Sequence, residues 1–291
     1  MRYEFHSGAE VCKLCKEEGI TIADLMLRSE MEQSMRNEEE IIDEMMYNLS
    51  VMHQSIDMGL DESNRQHGMF TGGDAVKINK YADNANMGEG MAKIVAASMA
   101  VAETNAAMGK IVAAPTAGAS GILPAILIEC GRNQRGFDDE ILCKGLFTAG
   151  AVGCIIAEKA SIAGASGGCQ AETGTAAAMG AAALAEMYGA SPEEALSAAA
   201  IAIKNCLGLV CDPVAGLVEC PCIKRNAIAA SNAVLSCDLV LAGINSLIPF
   251  DEVVEAMGNV GRSMHSDLRE TARGGLAATP TAKELVKKLY K

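Results

Sequence analysis

Three cysteines stand in turns, where a chain can bring distant residues to one point. Cys169 lies in Ala163-Gly-Ala-Ser-Gly-Gly-Cys-Gln170, Cys211 heads Cys211-Asp-Pro-Val-Ala-Gly216, and Cys222 ends Glu219-Cys-Pro-Cys222. Glycine and proline break helices, and glycine also lets the backbone approach a ligand closely. Thiolates are soft ligands that suit zinc or an iron–sulfur cluster, and three of them leave a four-iron cluster one ligand short, with an open iron able to act as a Lewis acid. Spacing alone does not choose between Cys220 and Cys222. Zinc is the runner-up metal, with a Cys-rich site closed by one of His6, His53, His67 or His265, although none of these has finger spacing to the cysteines. Unligated thiols are the other reading, ahead of zinc.

The remaining residues with chemical potential sort by context. Of eleven cysteines, Cys130, Cys143, Cys154, Cys206 and Cys237 fall in or beside apolar helical stretches and read as small buried hydrophobes. Cys12 and Cys15 form a Cys-x-x-Cys that lacks both a βαβ context and a second pair. The loop Pro115-Thr-Ala-Gly-Ala-Ser-Gly-Ile-Leu-Pro124 offers the hydroxyls of Thr116 and Ser120 and backbone N–H groups around Gly118 and Gly121. Such a loop can cradle a carboxylate, or it can be a tight glycine-mediated connection. Glu172, Asp212 and Arg273 read either as groups that tune a metal or substrate or as caps and ion pairs. His53, His67 and His265 read as surface or capping residues, and Lys159 as half of a helix-end salt bridge.

The elements that position these loops are helices. The 291 residues suffice to bury a core without disulfides. Aromatic residues make up 3 %, Trp is absent, and there are 29 Gly and 17 Met, so the interior is built from Ala, Val, Ile, Leu and Met, which favour close helix packing. Ile22, Leu25, Met26, Ile41, Ile42, Met45, Met46, Leu49, Met52 and Ile56 recur at helical spacing among charged residues, predicting an amphipathic helix or helix pair within residues 1–80. Residues 81–291 form an Ala/Gly-rich helical remainder of the same single domain, 1–291. Ser191-Pro-Glu-Glu194 combines an N-cap, a proline at the first helical position and a capping-box glutamate, predicting a helix over 192–206. Further helices are expected over 88–109, 138–160, 174–188, 224–243, 251–265 and 281–290, and no window alternates as a strand would. The fold class is mainly α.

A net charge of −13 is the wrong sign for neutralising phosphates, so nucleic acid and anionic membranes are poor partners. The apolar runs are interrupted by charge, and none reads as a membrane span. Met1 to Glu10 lacks the apolar run of an export leader. Together with an odd number of cysteines, this predicts a reducing, cytoplasmic setting with free or metal-bound thiols.

At these loops the chain resembles the α subunit of the iron–sulfur-dependent L-serine dehydratases, or L-serine ammonia-lyases. The resemblance is carried by Ala113-Ala-Pro-Thr-Ala-Gly-Ala-Ser-Gly-Ile-Leu-Pro-Ala125, Gly168-Cys-Gln-Ala-Glu172, Cys211-Asp-Pro-Val-Ala-Gly216, Pro221-Cys-Ile-Lys-Arg-Asn-Ala-Ile-Ala229 and Arg269-Glu-Thr-Ala-Arg-Gly-Gly-Leu-Ala277, and it extends from about residue 20 to 278. It implies that Cys169, Cys211 and Cys222, rather than Cys220, hold a [4Fe–4S] cluster whose open iron binds the hydroxyl of L-serine, with pyruvate and ammonia as products. It also implies no pyridoxal phosphate. The family's histidine-bearing Ser-Ser-His-Thr motif is absent here; in two-chain members it belongs to a separate β subunit, so the resemblance implies a hetero-oligomer whose base lies on the β subunit. The C-terminal Cys that caps the open iron in some single-chain relatives is also absent, since this sequence ends Lys287-Lys-Leu-Tyr-Lys291. Two alternatives accompany this reading: a related cluster-dependent lyase such as an L-cysteine desulfidase, and a noncatalytic iron–sulfur interaction subunit.

Overall fold

Local sequence signals start several of the helices. In the computed structural model, which describes residues 2–64 and 67–289, Ser7 opens α1 (Gly8–Glu18) by accepting from the Glu10 amide, and Gly19 closes it in the left-handed region at φ 66°. Capping boxes open α2 (Ile22–Ser34), with Thr21 and Asp24, and α3 (Glu38–Leu60), with Asn37 and Glu40. The amphipathic stretch from Ile22 to Ile56 is therefore a helix pair, α2 and α3, parted at left-handed Met35, and α1 precedes it.

The central part follows the expected order with shifted ends. Helix α4 (Asp74–Tyr81) precedes α5 (Glu89–Ala106), which stops short of residue 109 because Met108 turns left-handed and the Gly109 amide folds back onto the Thr104 carbonyl at 2.8 Å. A single turn, α6 (Ile122–Pro124), runs on as a wide π-type helix over Ala125–Gln134 that no local sequence signal announced. Then come α7 (Asp139–Lys159), the one-turn α8 (Gly164–Gly167), a π turn over Gln170–Gly174 and α9 (Thr175–Met187). Ser191 and Glu194 form the expected capping box of α10 (Pro192–Lys204). Helix α11 (Cys222–Leu241) begins at the cysteine itself, two residues before the expected start, and α12 (Phe250–Ser263) and α13 (Pro280–Leu289) follow. Residue 290, the expected end of α13, lies outside the described residues. The fold is mainly α: among the described residues there is no strand, only an isolated bridge between Cys211 and Arg269.

Helix α9 is the hub, packed against α7, α10 and α11. Ala176, Ala177, Ala178, Ala181, Ala182 and Ala183 are fully buried along it. Small side chains let the helix axes approach; a Cβ on Gly180 would sit 3.2 Å from Ile126. Val11, Ile22, Leu25, Leu49 and Met52 from the N-terminal helices seal the same core. Helix α7 is long and apolar enough to cross a membrane, but 67 % of its most apolar stretch is buried inside the protein, as expected of a core helix.

Carboxylates on core helices fasten the peripheral segments. Asp251 accepts from the Gly8 and Ala9 amides at 2.8 and 3.0 Å, Glu186 from Ile22 and Ala23 at 2.8 and 3.0 Å, and Glu103 from Gly73 and Asp74 at 3.1 and 2.9 Å. Each carboxylate satisfies amides at a helix start, where four N–H groups have no partner within the helix and the helix dipole favours negative charge.

Candidate active site

Cys222, Arg225 and Asn226 lie on one face of the first turn of α11, because residues three and four apart on a helix are neighbours. Asn226, 1 % exposed, donates from Nδ2 to the Cys222 and Gly118 carbonyls at 2.9 and 2.7 Å, and its Oδ1 accepts from the Gly121 amide at 3.0 Å. One side chain thus locks the 116–121 loop to the helix that presents Cys222. Gly121 is required there, since a Cβ would lie 2.1 Å from the Ser98 carbonyl oxygen.

The second cysteine is held by the C-terminal segment. The Cys211 amide donates to the Leu268 carbonyl at 2.8 Å, and the Glu270 amide donates to the Cys211 carbonyl at 2.7 Å. Next to it, buried Asp212 pairs with Arg225 at 2.8 Å and accepts from the Leu276 amide at 2.7 Å. Arg225 also donates to the Val210 carbonyl at 2.7 Å. Glu270 and Ala272 both adopt left-handed backbone, at φ 60° and 54°. Strain of that kind persists only where surrounding contacts fix it.

Cys169 precedes the π turn, and its thiol lies 3.6 Å from Thr173 Oγ1. The structure brings Cys169, Cys211 and Cys222 within electrostatic reach of one another and buries all three. Burial pushes the Cys222 thiol up to about 12, with the negative charge of Cys169 and Glu172 adding to the effect, and raises Cys211 and Cys169 as well. Glu172 joins them: it accepts from Thr116 Oγ1 at 2.9 Å and lies 3.8 Å from Cys211 Sγ, and burial raises its pKa. Arg225 supplies positive charge to Cys169 and Cys222. Around this group Gly118 and Gly164 leave space; a Cβ on Gly164 would sit 2.8 Å from both Cys211 Sγ and a Glu172 oxygen.

The other candidate residues are placed as follows. Thr116 and Gly118 face Glu172. Ser120 is fully buried with its hydroxyl unpartnered, and the Gly121 amide is taken by Asn226, so this half of the loop is turned inward. Arg273 is exposed and pairs with Asp267 at 3.0 Å. Lys159 is exposed in the last turn of α7 and, among the described residues, has no ion-pair partner, unlike the expected salt bridge. His6 pairs with Glu158 at 3.0 Å and His53 with Asp57 at 3.4 Å, His265 accepts from the Asp267 amide, and the His67 ring lies over Gly72. Among the described residues, no three His, Cys, Asp or Glu side chains can hold a single metal ion, which counts against the zinc reading. A cluster differs in its demand, because each thiolate bonds a different iron. Cys154, expected inside, is exposed, and Cys206 is half-buried within electrostatic reach of Cys169.

The sequence profile of the serine dehydratase alpha chain family matches residues 17–277. The chain belongs to the serine dehydratase alpha chain family. It is 49 % identical over 288 residues to a probable L-serine dehydratase alpha chain of Bacillus subtilis, covering 98 % of this chain and 95 % of that one. It is 47 % identical over 282 residues to the L-serine dehydratase alpha chain of Peptoniphilus asaccharolyticus, covering 96 % of each. An L-serine dehydratase of Streptomyces coelicolor is 40 % identical over 287 residues, which make up 95 % of this chain but 61 % of that longer one. Arg225 and Asn226 stand inside the sequence motif that resembles this family but were not singled out as site residues. Their i+3 and i+4 spacing from Cys222 is the signal that could have found them.

Proposed function

We propose that this chain is the catalytic α subunit of an L-serine ammonia-lyase, which converts L-serine to pyruvate and ammonia. The observation that carries the reading is the convergence of three buried thiols from three separate elements, Cys169, Cys211 and Cys222, beside Glu172 and Arg225. These residues suit a [4Fe–4S] cluster: three soft donors, a neighbouring cation, and glycines at 118 and 164 where side chains would crowd the space. When bound, such a cluster offers an open iron as a Lewis acid that turns the substrate hydroxyl into a tolerable leaving group.

The chain's own residues supply the setting. Arg225, held by Asp212 and the Val210 carbonyl, offsets the thiolate charge. Thr116 and Gly118 border the Glu172 side, where we place the substrate, while Ser120 and Gly121 support the loop from within. The α-proton must go to a base, which we place on a β subunit. The alpha chain names of the relatives support this, as does the extra length of the Streptomyces protein. Eleven cysteines outside any disulfide, three as cluster ligands and the rest as thiols, suit a reducing cytoplasm.

The test is anaerobic purification with a co-expressed β subunit. Brown protein with about four iron and four sulfide per chain, an electron-paramagnetic signal perturbed by L-serine, and pyruvate released from L-serine are expected. Colourless, zinc-loaded protein after reconstitution overturns the cluster. Sulfide from L-cysteine without pyruvate from L-serine overturns the substrate.

A further inference from the structure

We infer that Glu219 is a positioning residue for Cys222, clamping a strap formed by residues 69–71 against the turn that presents the cysteine. Glu219 is 4 % exposed. Its Oε1 accepts from the Met69 amide at 2.8 Å, and its Oε2 accepts from the Phe70 amide at 2.8 Å, the Thr71 amide at 3.0 Å and the Thr71 hydroxyl at 2.9 Å. Among the described residues its partners are these four donors, three amides and a hydroxyl. The strap fits closely: a Cβ on Gly68 would lie 2.4 Å from a Glu219 oxygen.

The clamp reaches the candidate site through the backbone. The Glu219 carbonyl accepts from the Ile223 amide at 3.0 Å in the first turn of α11, which Cys222 begins. The Cys220 carbonyl accepts from the Val214 amide at 2.9 Å, tying the Cys211 loop to the same turn. A buried carboxylate deprived of its donors is costly, so strap and turn hold one another in place. The strap continues into a second clamp, in which Glu103 accepts from the Gly73, Asp74 and Ala75 amides at 3.1, 2.9 and 3.4 Å. Asp74 of this second clamp pairs with Lys224, two residues past Cys222, at 3.3 Å, so the control for architecture alone is the Asp251 clamp on the Gly8 and Ala9 amides, which joins α1 to α12.

The functional importance of this clamp rests on Cys222 being a cluster ligand, but its geometry can be tested without the cluster. In the full-length apo chain, Glu219→Gln turns an amide NH2 toward backbone N–H groups that need an acceptor. Alkylation by iodoacetamide, read cysteine by cysteine by mass spectrometry, is expected to quicken about tenfold at Cys222, as for loss of one charge-assisted hydrogen bond. Asp251→Asn is expected to lower the melting temperature and leave Cys222 at the wild-type rate. If Glu219→Gln exposes every cysteine, Thr71→Val removes a single donor without uncovering the charge and is expected to quicken Cys222 alone. Equal Cys222 rates in Thr71→Val and wild type, or in Glu219→Gln and Asp251→Asn, overturn the inference. After anaerobic reconstitution, Glu219→Gln is expected to alter the cluster signal and hasten iron loss in air. Wild-type protein that takes up no cluster overturns the proposed function while leaving the alkylation result to decide the clamp.

Discussion

Helix α9 presents alanines with no exposed surface to three neighbouring helices, whereas α3, with Ile41, Leu49, Met52 and Ile56 buried, leaves Glu38, Glu39 and Tyr47 in water. The first is held by close packing of small side chains, so its stability depends on volume. The second is held by one apolar stripe and by its caps, and the neighbouring peripheral segments are fastened to the core by carboxylates. The difference shows where the molecule tolerates change. A lost methylene matters in the hub, and a lost acceptor matters at the periphery.

The comparison breaks most severely where charge enters the buried region. Replacing Asp212 with Asn strands Arg225 beside the cysteines and is expected to cost about 3–5 kcal/mol, the range for removing one partner of a buried pair. Urea unfolding together with iron content after reconstitution checks this. Leu184→Ala in α9, at a side chain 1 % exposed, is expected to cost about 2–5 kcal/mol. Chemical denaturation measures it, and a loss below 1 kcal/mol shows that the hub can collapse around a void.

At the periphery the effects shrink. Asn37→Ala removes the acceptor for the Glu40 amide at 3.0 Å and is expected to cost about 1 kcal/mol, a fraction of the core substitution when both melting curves are compared. The smallest effect is one of pH. Burial raises the pKa of Glu186 above the usual carboxylate value of 4.5, against the opposing pull of Thr148 and the Ile22 and Ala23 amides. A carboxyl raised in the folded state contributes stability that is complete below its unfolded value and is lost as pH rises through its folded value. Stability is therefore expected to decline from about pH 4.5 upward through that range. Glu186→Gln should flatten this decline in urea midpoints taken across it.

Much of the helical order was legible because its signals are local. Ser191-Pro-Glu-Glu194 marks α10 by itself, and the apolar spacing marks the wet face of the N-terminal region. The π-type stretch Ala125–Gln134 was not legible, because a widened helix here answers to packing against neighbours and carries no residue signature of its own. The site was legible as motifs but not as an arrangement. Thr116, Gly118, Ser120 and Gly121 look equivalent in sequence, yet Asn226 turns the last two inward and leaves the first two beside Glu172.

The sequence by itself determined the helical class, the family and the three turn cysteines, since composition, caps and motifs act over short spans of chain. Only tertiary structure decided that Asp212 and Arg225 pair, that Asn226 joins the 116–121 loop to Cys222, and that Glu219 gathers the 69–71 strap 148 to 150 residues away. Those contacts follow from burial. Once a polar group is removed from water it must find a partner, and the partner is whichever group the fold brings near, at any distance along the chain.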